Sequence, residues 1–128
     1  MNNIEFYKAK LQFETDSWDL SEAMKSNSVI VIDARSTEAF DLEHIPNSIN
    51  FPHKTMNEES TLVLDKSKYY VSYCDGIGCN ASTKGALQLS LLGFNVKELL
   101  GGLDWWRRDG YETHGANATK GKTIICGC

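Results

Sequence analysis

The residues best suited to chemistry lie together in Tyr73-Cys74-Asp75-Gly76-Ile77-Gly78-Cys79-Asn80. An apolar, strand-like run from Tyr69 to Tyr73 leads in, and a helix-like run from Ala81 to Leu92 leads out. Cys74 stands where the strand should stop, with two glycines close behind. That order curls backbone N–H groups around one sulfur and sets it near a helix N-terminus, where unpaired amides and the helix dipole favour an anion. The thiolate is the nucleophilic form of cysteine. A free thiol with a pKa of about 8.5 is only a few per cent ionised at neutral pH, and a fall of about two units ionises most of it. The dipole alone supplies roughly 1–2 kcal/mol, about one such unit, so several loop amides must converge as well. The candidate binding residues around the Cys74 sulfur are therefore Asp75, Gly76, Ile77, Gly78, Cys79 and Asn80. The plainer alternative is an inert, buried cysteine at a strand end.

Elements on either side must hold this loop. Residues 4 to 14 read as an amphipathic helix with Phe6, Ala9 and Phe13 on one face. Thr15-Asp16-Ser17 breaks it, and Asp16 or Asp19 caps a second short helix through about Lys25. Trp18 reads as a core or half-core aromatic. Val29-Ile30-Val31-Ile32 is continuously apolar and β-branched, the pattern of a strand buried on both faces in a parallel sheet. Asp33-Ala34-Arg35-Ser36 follows, with Ser36 as the cap of a short helix. Asp33 and Arg35 read as support rather than catalysis: Asp33 ties down amides and Arg35 makes an ion pair. His44 sits in the turn His44-Ile45-Pro46-Asn47-Ser48 and reads as its hydrogen-bonding brace, while His53 is less committed. Ile49-Asn50-Phe51 reads as a short strand, and residues 54 to 68 as a surface helix and loop. After the Cys74 loop, Asn80 is the expected N-cap of a helix closed by Gly93. Residues 94 to 100 form a strand, and Gly101-Gly102 turns into a helix from Leu103 to Arg108. Trp105 and Trp106 there give one ring to the core and leave one partly exposed.

A chain of 128 residues, 41% hydrophobic and 23% charged, suits one soluble domain. We divide it into a domain over residues 1–114, including an N-terminal helical extension (1–16), and a C-terminal tail (115–128). Net charge is −4 with the positive charges scattered, so no nucleic-acid partner is expected. No apolar run reaches membrane-spanning length, and no secretory signal is read at the N-terminus, so no membrane partner and a cytoplasmic, reducing setting are expected. In that setting Cys74, Cys79, Cys126 and Cys128 are reactive or metal-binding more often than disulfide-bonded. The Cys126-Gly127-Cys128 end supplies two thiolates, short of the four ligands of a structural zinc site; no metal and no cofactor are expected.

Strands alternate with helices, and the thiol loop lies at a strand's C-terminal end, the edge where open α/β sheets bind ligands. From about Trp18 to Tyr111 the chain resembles the single-domain rhodaneses, a family of sulfurtransferases. Four pieces carry the resemblance: Val31 to Ser36 with Phe40; His44 to Asn50; Tyr73-Cys74 with its glycine loop; and Gly101 to Trp105 with Gly110. The resemblance implies an α/β fold with a five-stranded parallel sheet flanked by helices on both faces. It implies that Cys74 takes sulfane sulfur as a persulfide, and that Asp33 and Arg35 brace the site. Many relatives carry an arginine where this chain has Cys79, and a serine where it has Asn80. An arginine's fork binds sulfonate or phosphate oxygens, so thiosulfate is a less apt donor here. Cys79 is either a second thiol that resolves a Cys74 persulfide or forms a redox switch, or a small buried residue filling the arginine's space; the balance tips slightly to the latter.

The leading expectation is a sulfurtransferase that loads Cys74 from a small-molecule sulfur donor and passes the sulfur to a thiol or protein acceptor. One alternative is a thiol–disulfide redox or sensing module using Cys74 and Cys79. The other is a non-catalytic binding module of the same fold.

Overall fold

The computed structural model describes residues 1–122 and Ile124. The expectations for Cys126 and Cys128 lie outside the described residues. Five parallel strands form one sheet: β1 (Glu14–Thr15), β2 (Ile30–Asp33), β3 (Ile49–Asn50), β4 (Tyr69–Tyr73) and β5 (Asn95–Leu99), in the spatial order β1-β5-β4-β2-β3. The helices are α1 (Asn3–Phe13), α2 (Ser17–Lys25), α3 (Thr37–Leu42), α4 (Ala81–Leu91) and α5 (Gly102–Arg108).

Alternation along the central strands divides the core in two. Val31, Val71 and Tyr73 meet Leu20 of α2 with Leu103 and Trp106 of α5. On the other face Ile32 and Tyr70 meet Leu89 of α4, Met56 and Phe94. Helices therefore cover both faces, as a parallel sheet requires. Ser36 and Asp16 cap α3 and α2 by accepting from Ala39 N–H and Asp19 N–H. Gly93, at φ +93°, ends α4. Trp106 is 3% exposed and Trp105 43% exposed, one ring in the core and one at the surface.

Four elements differ from expectation. β1 belongs to the sheet, whereas residues 1–16 read as a helical extension. It is too short and polar to show a period, and backbone bonds hold it: Leu100 N–H donates to the Thr15 carbonyl at 2.9 Å. The anticipated apolar face of α1 is outward, with Phe6 50% and Phe13 55% exposed. The surface helix expected over 54 to 68 is two 3-10 turns, His53–Thr55 and Ser60–Val63. Packing also continues past residue 114. Ala116 and Asn117 N–H donate to Asp41 and Leu42 carbonyls at 3.0 and 2.7 Å, and Lys122 N–H reaches the Gly110 carbonyl at 2.7 Å. Among the described residues no helix is long and apolar enough to cross a membrane.

Candidate active site

Parallel pairing brings the ends of β2 and β4 side by side. Asp33 pairs with Tyr73, and Ala34 N–H donates to the Tyr73 carbonyl at 3.0 Å. Cys74 follows directly, 1% exposed, at the C-terminal edge of the sheet. The start of α5 fixes the loop from the other side: Leu103 N–H donates to the Cys74 carbonyl at 2.9 Å, and Asp104 N–H to the Asp75 carbonyl at 2.8 Å. These are first-turn amides with no partner inside their own helix. The approach is close enough to exclude a side chain at Gly102, whose φ is +58°. A Cβ there would lie 2.4 Å from the Cys74 carbonyl oxygen and 2.9 Å from Gly76 N.

Arg35 ties three segments together. Its Nη2 donates to Asp33 Oδ2 at 2.7 Å and to the Glu43 carbonyl at 2.6 Å, and its Nη1 donates to Asp75 Oδ1 at 2.7 Å. The side chain is only 7% exposed and Asp33 is fully buried. Burial works against the Arg35 charge, but the hydrogen bond and charge of Asp33, with Asp75 beside them, outweigh it and raise the guanidinium above its ordinary pKa. Asp33 also accepts from Arg35 N–H at 2.9 Å. Both residues are placed as braces, and neither lies free to act as a base.

A cavity of about 650 Å3 opens over the loop. Asp75, Gly76, Ile77, Gly78 and Cys79 line it, while Asn80 does not, and no side-chain bond from Asn80 caps α4 although it occupies the cap position. His44 is outside the cavity. Its ring stacks on Phe40 at 3.8 Å, and Nδ1–H donates to the Phe40 carbonyl at 2.7 Å, so it braces its turn. His53 is pushed below its ordinary pKa by burial and the nearby charges of Lys84 and Lys54, and it too lies off the cavity. The opposite wall carries residues not anticipated from sequence: Glu43, Asp104, Arg107 and Asn117. Glu43 accepts from Thr113 Oγ1 at 2.6 Å and Thr119 Oγ1 at 2.8 Å, and pairs with Arg107. Burial would raise its pKa, but the two threonines and Arg107 overcome this and hold the carboxyl below its usual range. Spacing could not have revealed this group, because its members come from three separate segments.

The sulfur itself is not a free thiolate here: Cys74 and Cys79 are joined in a disulfide, with their Cα atoms 6.3 Å apart. This overturns the slightly favoured expectation that Cys79 is only a small residue filling an arginine's space. The loop permits the bond because Cys79 N–H donates to the Gly76 carbonyl at 3.2 Å, a tight turn that folds residue 79 back over residue 74. Among the described residues no hydrogen bond reaches the Cys74 sulfur, and the backbone N–H groups of Asp75, Gly76, Ile77 and Gly78 find no protein acceptor. The four residues that carry these donors line the cavity. Cys74, Asp75 and Cys79 place three metal-type ligand atoms within 4.8 Å of one another, but both sulfurs are bonded and three ligands fall short of a closed zinc site.

The sequence from residue 18 to 109 matches the family model for the rhodanese-like domain. The chain belongs to the rhodanese-like family. Among solved structures it is similar to a protein from Bacillus halodurans at 39% identity and a TM-score of 0.86, covering 97% of this chain and 92% of that one. It is also similar to a rhodanese-related protein from Thermoplasma volcanium (29% identity, TM-score 0.70, 80% and 97% covered). A third likeness is to a protein from Lactobacillus plantarum (26% identity, TM-score 0.69, 82% and 90% covered). No curated protein gives a significant match.

Proposed function

We propose that the protein is a sulfurtransferase that carries sulfane sulfur as a persulfide on Cys74 and hands it to a thiol, free or on a protein. The observation carrying this is the position of Cys74 at the sheet's C-terminal edge, followed by a loop in which the N–H groups of Asp75, Gly76, Ile77 and Gly78 have no acceptor among the described residues. Membership of the rhodanese-like family supports it.

The chemistry begins with the reduced protein. The Cys74 thiolate attacks the outer sulfur of a persulfide donor, R–S–S⁻; R–S⁻ leaves and Cys74–S–S⁻ forms. An acceptor thiolate then attacks that outer sulfur and carries it away, returning the Cys74 thiolate. Loop amides left without a protein acceptor are available to stabilise both anions, and a thiol already ionised needs no separate general base. The donor class follows from charge. The cavity wall has Glu43, Asp75 and Asp104 against Arg35 and Arg107, and every one of these is already ion-paired. Among the described residues that line the cavity none offers surplus positive charge for a dianion such as thiosulfate, so low-molecular-weight persulfides and polysulfides are the fitting donors.

The test is intact mass and peptide mapping of the reduced Cys79→Ser protein after exposure to glutathione persulfide, polysulfide or thiosulfate. Gain of one sulfur on Cys74, removed by cyanide, is expected from the first two donors. No gain from any donor would leave a binding module as the better account.

A further inference from the structure

Given the sulfur-carrier reading above, we propose that Cys79 is a resolving thiol that turns the carrier into a sulfane-sulfur reductase: it attacks the Cys74 persulfide and releases hydrosulfide. The step balances as Cys74–S–S⁻ plus Cys79–SH giving the Cys74–Cys79 disulfide plus HS⁻. The Cys79 sulfur bonds to Cys74 Sγ and the bond from Cys74 to the outer sulfur breaks. The Cys79 proton leaves with that outer sulfur, which takes two electrons from the cysteine pair. A dithiol reductant then returns the disulfide to two thiols.

The bond present in the structure is the one this step forms. It joins Cys79 to Cys74 Sγ itself, the atom at which attack expels the outer sulfur rather than relaying it. The folded loop already supports the product geometry. With the turn from Gly76 to Cys79 closed, the Cys74 carbonyl still accepts from Leu103, and β4 and α4 keep their regular structure. A second observation sets the direction of reduction. Cys74 is buried while Cys79 is partly exposed and lies on the cavity wall, so an incoming dithiol meets Cys79 first and frees Cys74 as the leaving thiolate. Finally, the cations that share the cavity wall with Cys79, Arg35 and Arg107, are already paired with Asp75, Glu43 and Asp104 rather than free to hold a terminal persulfide charge. Asp75, the nearest charged neighbour in the loop, is an anion paired to Arg35.

The experiment is a single turnover. Reduced, desalted wild-type, Cys79→Ser and Cys79→Ala proteins each receive one equivalent of glutathione persulfide, with no other thiol present. Sulfide is measured and each protein is mapped by mass. The proposal expects a burst approaching one sulfide per wild-type molecule, loss of two hydrogens and a Cys74–Cys79 link. Both variants should instead retain one extra sulfur on Cys74 and release sulfide more than about tenfold more slowly. Wild-type protein that keeps the extra sulfur and releases no sulfide overturns the resolving role and leaves the carrier reading intact. Failure of all three proteins to take up sulfur, with melting curves showing them folded, overturns the carrier reading and this inference with it. A disulfide formed without sulfide release also overturns it, in favour of a plain redox pair. A wild-type disulfide with stoichiometric sulfide, absent from two folded variants, sustains it.

Discussion

Arg35 and Asp75, forty residues apart in sequence, meet at 2.7 Å and bind the end of β2 to the loop that follows β4. The same guanidinium satisfies the fully buried Asp33. Removing one partner of a buried pair leaves the other charge uncompensated, at a cost of about 3–5 kcal/mol. Arg35→Ala should therefore lose about that much stability in urea denaturation, and sulfur loading should fall with it. Arg35→Lys keeps the charge but loses the fork and should fall between. A loss under about 1 kcal/mol for Arg35→Ala would contradict the bracing role.

Two glycines make a paired test of how the loop is seated. Gly102→Ala adds a Cβ 2.4 Å from the Cys74 carbonyl oxygen at φ +58°, so backbone must move. We expect a loss of about 2–3 kcal/mol in thermal or urea unfolding, with slower loading of Cys74 even where the protein remains folded. A Cβ on Gly78 meets nothing within 4 Å, and its φ is not left-handed. Gly78→Ala should change stability by about 1 kcal/mol or less. Equal effects from the two would show that crowding against Cys74 is not what sets the loop.

The Glu43 carboxyl is held below its usual range in the folded protein by Thr113, Thr119 and Arg107, against the opposing effect of burial. A depressed carboxylate stabilises the fold above its unfolded pKa, near 4.3, and that contribution disappears as pH falls through the lower folded value. Wild-type stability should thus drop on acidification below about pH 4.3. Glu43→Gln should be less stable than wild type at neutral pH and should lose less on going to acid. Urea midpoints across that range decide it. Parallel wild-type and variant curves would mean that Glu43 does not carry this acid sensitivity.

Charge at position 79 should select the donor. Cys79→Arg places a fork beside the loop, and a hydrogen bond to a charged group contributes about 1.5–3 kcal/mol. That corresponds to roughly ten- to hundredfold tighter use of thiosulfate than in Cys79→Ser, measured as the thiosulfate concentration that half-loads Cys74. Indistinguishable loading of the two variants would mean that the missing arginine is not what limits thiosulfate.

Much of the fold was legible because local and global signals agree. The continuous apolar run before Asp33 is a central parallel strand, Ser36 and Asp16 are caps, and the loop after Cys74 closes in a tight turn. The candidate site at the tip of β4 could be located the same way, since a cysteine between a strand and a helix has few neighbours to choose from. What escaped is non-local. Glu43 gathers Thr113, Thr119 and Arg107 from segments whose meeting no period announces. The bond between Cys74 and Cys79 depends on a backbone turn closing over one particular sulfur, which nothing in the sequence specifies. The outward face of α1 shows that helical spacing predicts a helix without saying which side packs.

The two residues of β1 lie outside the stretch matched to the family, which begins at residue 18, yet they occupy one margin of the sheet. Glu14 and Thr15 occupy backbone groups that β5 would otherwise offer to any passing extended chain. A shortened protein that starts at the matched stretch would keep Cys74, Arg35 and the cavity while baring that margin. Its failing would be self-association through strand addition, brought on by the loss of a segment remote from Cys74.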